Sequence, residues 1–232
     1  MEKNNSISIK KCVAQLTFGR SLKPSVKSHQ LRGAIAALNR DNTLFHQHES
    51  NGRPIYSYPL IQYKIIDGEA LIVGLEEGAQ AVAEVNLLDK TLYLGREKYD
   101  IAHQQVSFHT AEIGVDHFPH LYKFITPWMA LNTRNYDKYQ RSGDIKRRRR
   151  MLSKILIGNL LAMSKGLKHT VTEPIFAEIF EHKDVLTRIK GNAMTGFKGT
   201  FATNFTIPEY LGIGKSVSRG FGTIKKYFSE MD

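Results

Sequence analysis

Apolar residues recur at two different periods along this chain, and the change from one to the other outlines its elements. From Ser6 to Thr17 the pattern alternates, with Ile7, Ile9, Lys11 and Val13 on one side and Cys12, Ala14 and Leu16 on the other. Both faces are largely apolar, so a mostly buried strand is expected. The period then lengthens. Leu31, Ile35 and Leu38 recur as on one face of a short helix, with Ser25 as its cap and Gly33 as its weak point. Two β-rich runs, Tyr58 to Ile66 and Ala70 to Leu75, flank Asp67-Gly68-Glu69. Asp-Gly between such runs predicts a hairpin, because the tight turn that suits strand twist needs residues tolerant of positive φ. Gly78 to Leu88 reads as a second short helix, and strand character returns from Lys90 through Leu92 and Leu94.

The resulting order, βαββαβ, is that of a ferredoxin-like (RRM-like) unit: four antiparallel strands with two helices on one face. A less regular pass follows. Leu121 to Leu131 is strand-like, Asp144 to Leu167 is helical, and Pro174 to Phe180, Leu186 to Lys190, Gly199 to Ile207 and Thr223 to Phe228 are further strands. No second helix is visible in this half. With 232 residues, 41% of them apolar, the chain can bury a core in each of two domains. The expected class is α+β: tandem ferredoxin-like domains over residues 1–112 and 113–232, the second degenerate.

Charge narrows the function. Thirty-three Lys and Arg against 22 Asp and Glu give a formal +11, the footprint of a protein that meets phosphate backbones or an anionic membrane. The longest apolar run, Ile155 to Met163, is too short for a membrane span and is interrupted by Gly158 and Asn159, and the N-terminal residues lack the apolar core of a signal peptide. A cytoplasmic protein is expected, with the single Cys12 as a small core residue.

Four glycines and two cations crowd the segment Gly212-Ile-Gly-Lys-Ser-Val-Ser-Arg-Gly-Phe-Gly222. Glycines let backbone N–H groups approach an anion, and Lys215 and Arg219 supply charge. A nucleotide-hydrolysing P-loop is excluded, because Glu209 stands where that motif needs glycine, and the spacing does not fit a dinucleotide fingerprint. Gly212, Gly214, Lys215, Ser216, Arg219 and Gly220 are therefore candidate contacts to a polyanion, the alternative being a turn without a ligand.

The second concentration of charge is the run Lys146 to Arg150 on the long helix. Arg147, Arg150 and Lys154 share one face, while Leu152, Ile155, Leu156 and Met163 face a core. From Arg134 to Lys168 there are eleven Lys or Arg and only two acids, Asp137 and Asp144, so self-repulsion is not relieved locally. A polyanion would relieve it. Candidate chemistry lies in Phe45-His46-Gln47-His48-Glu49, followed by Arg53 and Tyr56. Imidazoles change charge near neutral pH, which suits proton transfer. Metal binding is a competing reading that would need Glu49 or a distant His109, His117 or His120 as further ligands, and ordinary loop histidines are another.

Leu31-Arg32-Gly33-Ala34 with the histidine segment after it, then Tyr58-Pro59-Leu60-Ile61-Gln62-Tyr63-Lys64, and finally the Gly-Ile-Gly-x5-Gly-Phe-Gly loop occur in an order that resembles the CRISPR-associated pre-crRNA endoribonucleases of the RAMP superfamily, the Cas six family in its type I-B-like branch. The resemblance spans essentially the whole chain. It implies RAMP architecture and metal-independent cutting of CRISPR repeat RNA, with no cofactor. It also implies a histidine in the segment after the first helix, here His46 or His48, with Tyr56 as a further candidate and Lys64 as an RNA contact. Repeat RNA is the expected partner, with other CRISPR effector subunits and a second copy of the chain as further ones. The alternative is a non-catalytic RAMP subunit that binds RNA in an effector complex.

RNA carries its own nucleophile in the 2′-hydroxyl, so cutting needs only a base, an acid for the 5′-oxygen and cations for the phosphorane. The expected ends are a 2′,3′-cyclic phosphate and a 5′-hydroxyl. Which imidazole is base and which acid stays open.

Overall fold

The computed structural model describes residues 6–46, 57–189 and 191–228. The chain divides into two compact units: Ser8–Ala111 with Val217–Gly220, and Met1–Ile7, Glu112–Ser216 and Phe221–Asp232. Their elements are β1 (Ser6–Phe18), α1 (Ser28–Leu38), α2 (Thr43–His46), β2 (Ile61–Ile66), β3 (Glu69–Leu75), α3 (Glu77–Glu84), β4 (Thr91–Leu94), β5 (Glu97–Trp128), α4 (Thr133–Arg141), α5 (Ile145–Gly166), β6 (Ala177–Ile189), β7 (Asn192–Thr206), a single 3₁₀ turn at Val217–Arg219 and β8 (Ile224–Lys226).

In the first unit the strand order is β2-β3-β1-β5, the ferredoxin-like arrangement, with β4 hairpinned onto the start of β5. The two-residue turn joins β2 to β3 with Asp67 at φ 51 and Gly68 at φ 84, so both central residues adopt the left-handed conformation. That is the type I′ geometry the Asp-Gly pair predicts. Cys12, Ala14 and Leu16 of β1 pack with Leu31 and Ile35 of α1 and with Ile61, Tyr63, Ala70 and Ile72 of the hairpin. Each fully buried Leu or Ile contributes roughly 1.5–3 kcal/mol.

The helix start differs from the expected one. Lys27, not Ser25, is the N-cap of α1; its backbone N–H donates to Gln30 Oε1 at 2.7 Å. Ser28 lies inside the first turn, and its hydroxyl accepts the backbone N–H of Ile65 at 2.9 Å, on the edge strand β2.

The second unit repeats the same order. β6 pairs with β7, β7 with the later half of β5, and β8 with the other side of β5. Here the connection from the third strand to the fourth holds no helix, only the glycine-rich segment and its 3₁₀ turn. The degenerate repeat is therefore a ferredoxin-like unit whose second helix has been replaced by that loop. Its core is aromatic: Phe124 stacks on Trp128 with centroids 4.9 Å apart, Phe201 lies at 4.9 Å from Phe124, and Leu152, Leu156, Leu160 and Met163 form the buried stripe of α5.

Three further differences have physical causes. α4 carries one buried apolar side chain, Tyr139, so it has no apolar period to read; it is set by Asn132, whose side chain accepts the N–H of Asn135. β6 runs unbroken through Glu181-His-Lys-Asp184, where two separate strands are expected, because its distal part pairs only with β7 and leaves Leu186 79% exposed. β5 continues through His103 to Thr110, well past the strand character read from Lys90 through Leu92 and Leu94, with Val106 and Phe108 exposed. Among the described residues no helix is long and apolar enough to cross a membrane.

A side chain at Gly68 would meet open space but would have to hold φ 84. Gly68→Ala is therefore expected to destabilise by about 1–2 kcal/mol through backbone conformation alone. Chemical denaturation measures this, and an unchanged midpoint contradicts it.

Candidate active site

Residues Val217–Gly220 of the glycine-rich segment group with the first unit, against α1 and β2. Gly220 explains how they can. At φ 85 it sits so close to α1 that a Cβ would lie 2.3 Å from Ser28 Oγ and 3.0 Å from the Tyr63 carbonyl oxygen. Its N–H donates to the Val217 carbonyl and that of Gly222 to Pro127. At these two positions glycine serves close packing, and the N–H groups expected to cradle a phosphate are used within the protein.

The close approach sets Arg219 beside α1. Partial desolvation first, then the charges of Arg219 and Lys27, hold the pKa of His29 below the ordinary imidazole value. Burial and then Arg219 likewise lower Arg32. The two side chains that act electrostatically on His29 are both positive. His29, in the first turn of α1, lies outside any apolar or motif pattern, and sequence reading passed over it; its position one turn before Arg32 was the available signal.

Arg32 joins this cationic group to the histidine segment. Its guanidinium donates to the backbone carbonyl of His46 at 2.6 Å, and the Tyr63 hydroxyl donates to the carbonyl of Phe45 at 3.2 Å. α2 is thus held at two successive carbonyls. The ring of His46 is oriented as well, since Nε2 lies 3.0 Å from the Asn39 carbonyl oxygen. A carbonyl only accepts, so Nε2 carries hydrogen and Nδ1 holds the lone pair of the neutral ring. His48 and Tyr56 lie outside the described residues.

Lys64 does not present its amine to a ligand. It is 0% exposed, its Nζ donates to Gln62 Oε1 at 2.9 Å, and the Val217 carbonyl oxygen lies at 3.5 Å. Burial lowers its pKa to about 7. Its expected role as an RNA contact gives way to a positioning one beneath the Val217 turn.

Lys215 belongs to the second unit, where its Nζ donates to the Leu131 carbonyl at 2.9 Å. Gly214 packs there on Trp128 and Asn159, and Gly212 bridges to Thr223. Ser216, at φ 58, is partly buried just before the turn. Arg147, Arg150 and Lys154 are exposed on α5, with Arg147 Nε 3.8 Å from Asp144. The two cations of the glycine loop thus fall in different units, and only Arg219 joins the imidazole-bearing group. Among the described residues no three His, Cys, Asp or Glu side chains gather as metal ligands.

Two ferredoxin-like units in tandem, with a glycine loop in place of the last helix, make up the fold that carries these residues. The chain belongs to the Cas6b family: residues 8–112 match the family model of the Cas6b N-terminal domain and residues 114–227 that of the Cas6b C-terminal domain. It is similar to a crystal structure of Cas6b, with 35% identity, a TM-score of 0.85 and coverage of 95% of this chain and 100% of that one. A second, of a CRISPR RNA processing endoribonuclease Cas6b, shows 34% identity and a TM-score of 0.75 over 95% of this chain and 100% of that one. An uncharacterized protein of Methanocaldococcus jannaschii is 42% identical over 143 residues, 62% of this chain and 97% of that protein.

Gly220→Ala is expected to lower stability by about 1–3 kcal/mol, since strained backbone and contact with Ser28 act together. A thermal midpoint equal to that of the wild type contradicts this. Lys64 gives a pH signature. In the unfolded chain its amine is charged up to its ordinary value, whereas the folded protein sheds the proton above about pH 7. The unfolded state then binds more protons, so the stability of the wild type relative to Lys64→Met should rise between pH 7 and pH 9, by at most about 1.4 kcal/mol per pH unit. A flat difference would show that the amine is not desolvated.

Proposed function

We propose that this protein is an endoribonuclease that cuts CRISPR repeat RNA without a metal ion. The observation that carries the reading is the link made by Arg32, which ties the Arg32 and Arg219 cations, with His29 beside them, to the segment bearing His46. The endoribonuclease named in the similar Cas6b structure supports the reaction class.

In the proposed step the cationic group holds the scissile phosphate. One imidazole, of His46 or His48, takes the proton of the 2′-hydroxyl; the 2′-oxygen bonds to phosphorus and the bond to the 5′-oxygen breaks. The other imidazole, or Tyr56, returns a proton to the leaving oxygen. Atoms and charge balance with RNA alone, giving a 2′,3′-cyclic phosphate and a 5′-hydroxyl. Arg219 and Arg32 stabilise the extra negative charge of the phosphorane, the kind of contact that strengthens as charge develops.

Each proton-transfer role is worth about 10²–10⁴-fold. Repeat RNA incubated with the protein in EDTA should be cut, the His46→Ala/His48→Ala variant should be nearly inactive while still binding, and a single 2′-deoxy nucleotide at the scissile position should block the reaction. Cutting of the deoxy substrate, or a strict requirement for a divalent ion, contradicts the proposal. Intact RNA with tight binding would assign the chain to a non-catalytic RNA-binding subunit instead.

A further inference from the structure

The basic helix α5 does more than display an exposed charged face. Between its first half and β6 lies a cleft of about 500 Å³, lined on the helix by Lys146, Arg149, Arg150 and Ser153 and on the strand by Glu178, Ile179 and Phe180. The lining residues of α5 stand at spacings of three, four and seven, one face of a helix. The floor is fixed, because the Ser153 hydroxyl accepts the backbone N–H of Ile179 at 3.0 Å. Arg149 Nε is buried yet has no hydrogen-bond partner. That atom is closed to solvent, and the cations open to the cleft are those of Lys146 and Arg150, both exposed. Phe180 is 41% exposed at the same cleft.

We infer that this cleft is a second RNA-binding site that takes one unpaired nucleotide, separate from the cutting site. The inference rests on the RNA-processing reading proposed above. A phosphate oxygen accepts from the exposed guanidinium of Arg150 and ammonium of Lys146, with Arg149 adding charge from beneath. A base lies against the ring of Phe180. Glu178, the one acid in the lining, faces away from any benefit to a ligand of pure negative charge, whereas a base edge offers an amino group for it to accept. An acidic protein segment would offer the cations a partner but leave both the ring and Glu178 without one, and this favours a nucleotide. Sequence pattern alone placed Arg147, Arg150 and Lys154 on the binding face; the cleft instead selects Lys146, Arg149 and Arg150.

The test is fluorescence anisotropy of the full chain with three probes: repeat RNA carrying a 2′-deoxy nucleotide at the scissile position, a ten-residue oligocytidylate, whose bases carry an amino group, and polyglutamate. K146Q/R149Q/R150Q should flatten the slope of log affinity against log salt by about 0.7 for oligocytidylate, the contribution of one phosphate on a single strand. Phe180→Leu, which keeps apolar volume but removes the ring, should weaken binding about 5-fold or more. Unchanged affinity and slope in both variants overturn the inference, as does loss of binding to polyglutamate without loss of binding to RNA, which would assign the cleft to an acidic protein. A wild type that never cuts RNA, with binding still lost in the cleft variants, overturns the nuclease reading and leaves this site standing.

Discussion

No side chain fits at position 220, and the candidate site depends on that exclusion. The backbone there lies against Ser28 Oγ and the carbonyl of Tyr63, with φ at 85. Only glycine adopts that conformation without strain and without a Cβ to push the chain away. Ser28 in turn holds the edge strand β2 through the N–H of Ile65, and Lys64 on that strand reaches toward Val217 from below. One close backbone approach therefore fixes the turn that carries Arg219, next to the helix that carries His29 and Arg32.

The glycine segment can make this approach because it replaces a helix. In the first unit α3 fills the connection between the third and fourth strands; in the second unit the same connection is irregular except for one 3₁₀ turn. A helix would bind its own N–H groups internally and present a regular surface. The irregular segment instead divides its residues, with Lys215 bonded to Leu131 in the second unit and Val217–Gly220 grouped with the first. In place of a helix, the segment thus carries Arg219 into the first unit, beside α1.

Legibility of the sequence followed the strength of the hydrophobic signal. β1, the β2-β3 hairpin and α5 were readable because alternation, a turn dipeptide and a helical stripe each carry a physical period. α4 and the polar stretches of β5 and β6 were not, because capping by Asn132 and cross-strand hydrogen bonds hold them with few buried apolar groups. The site was legible in part. Arg219 and His46 stand out by type and motif, but nothing local says that Gly220 packs on Ser28, that the amine of Lys64 is enclosed, or that the charge of Arg219 acts on His29. Those are contacts between residues far apart in sequence, and composition carries no trace of them.

A double-mutant cycle tests most directly whether the loop and the histidine segment act on one phosphate. Single-turnover cutting of repeat RNA would be measured for Arg219→Ala, His46→Ala and the pair. Groups that work as a unit on the same transition state give losses far from additive, so the double variant should be little slower than the slower single one. Losses that simply multiply would place Arg219 and His46 in separate events and contradict the account.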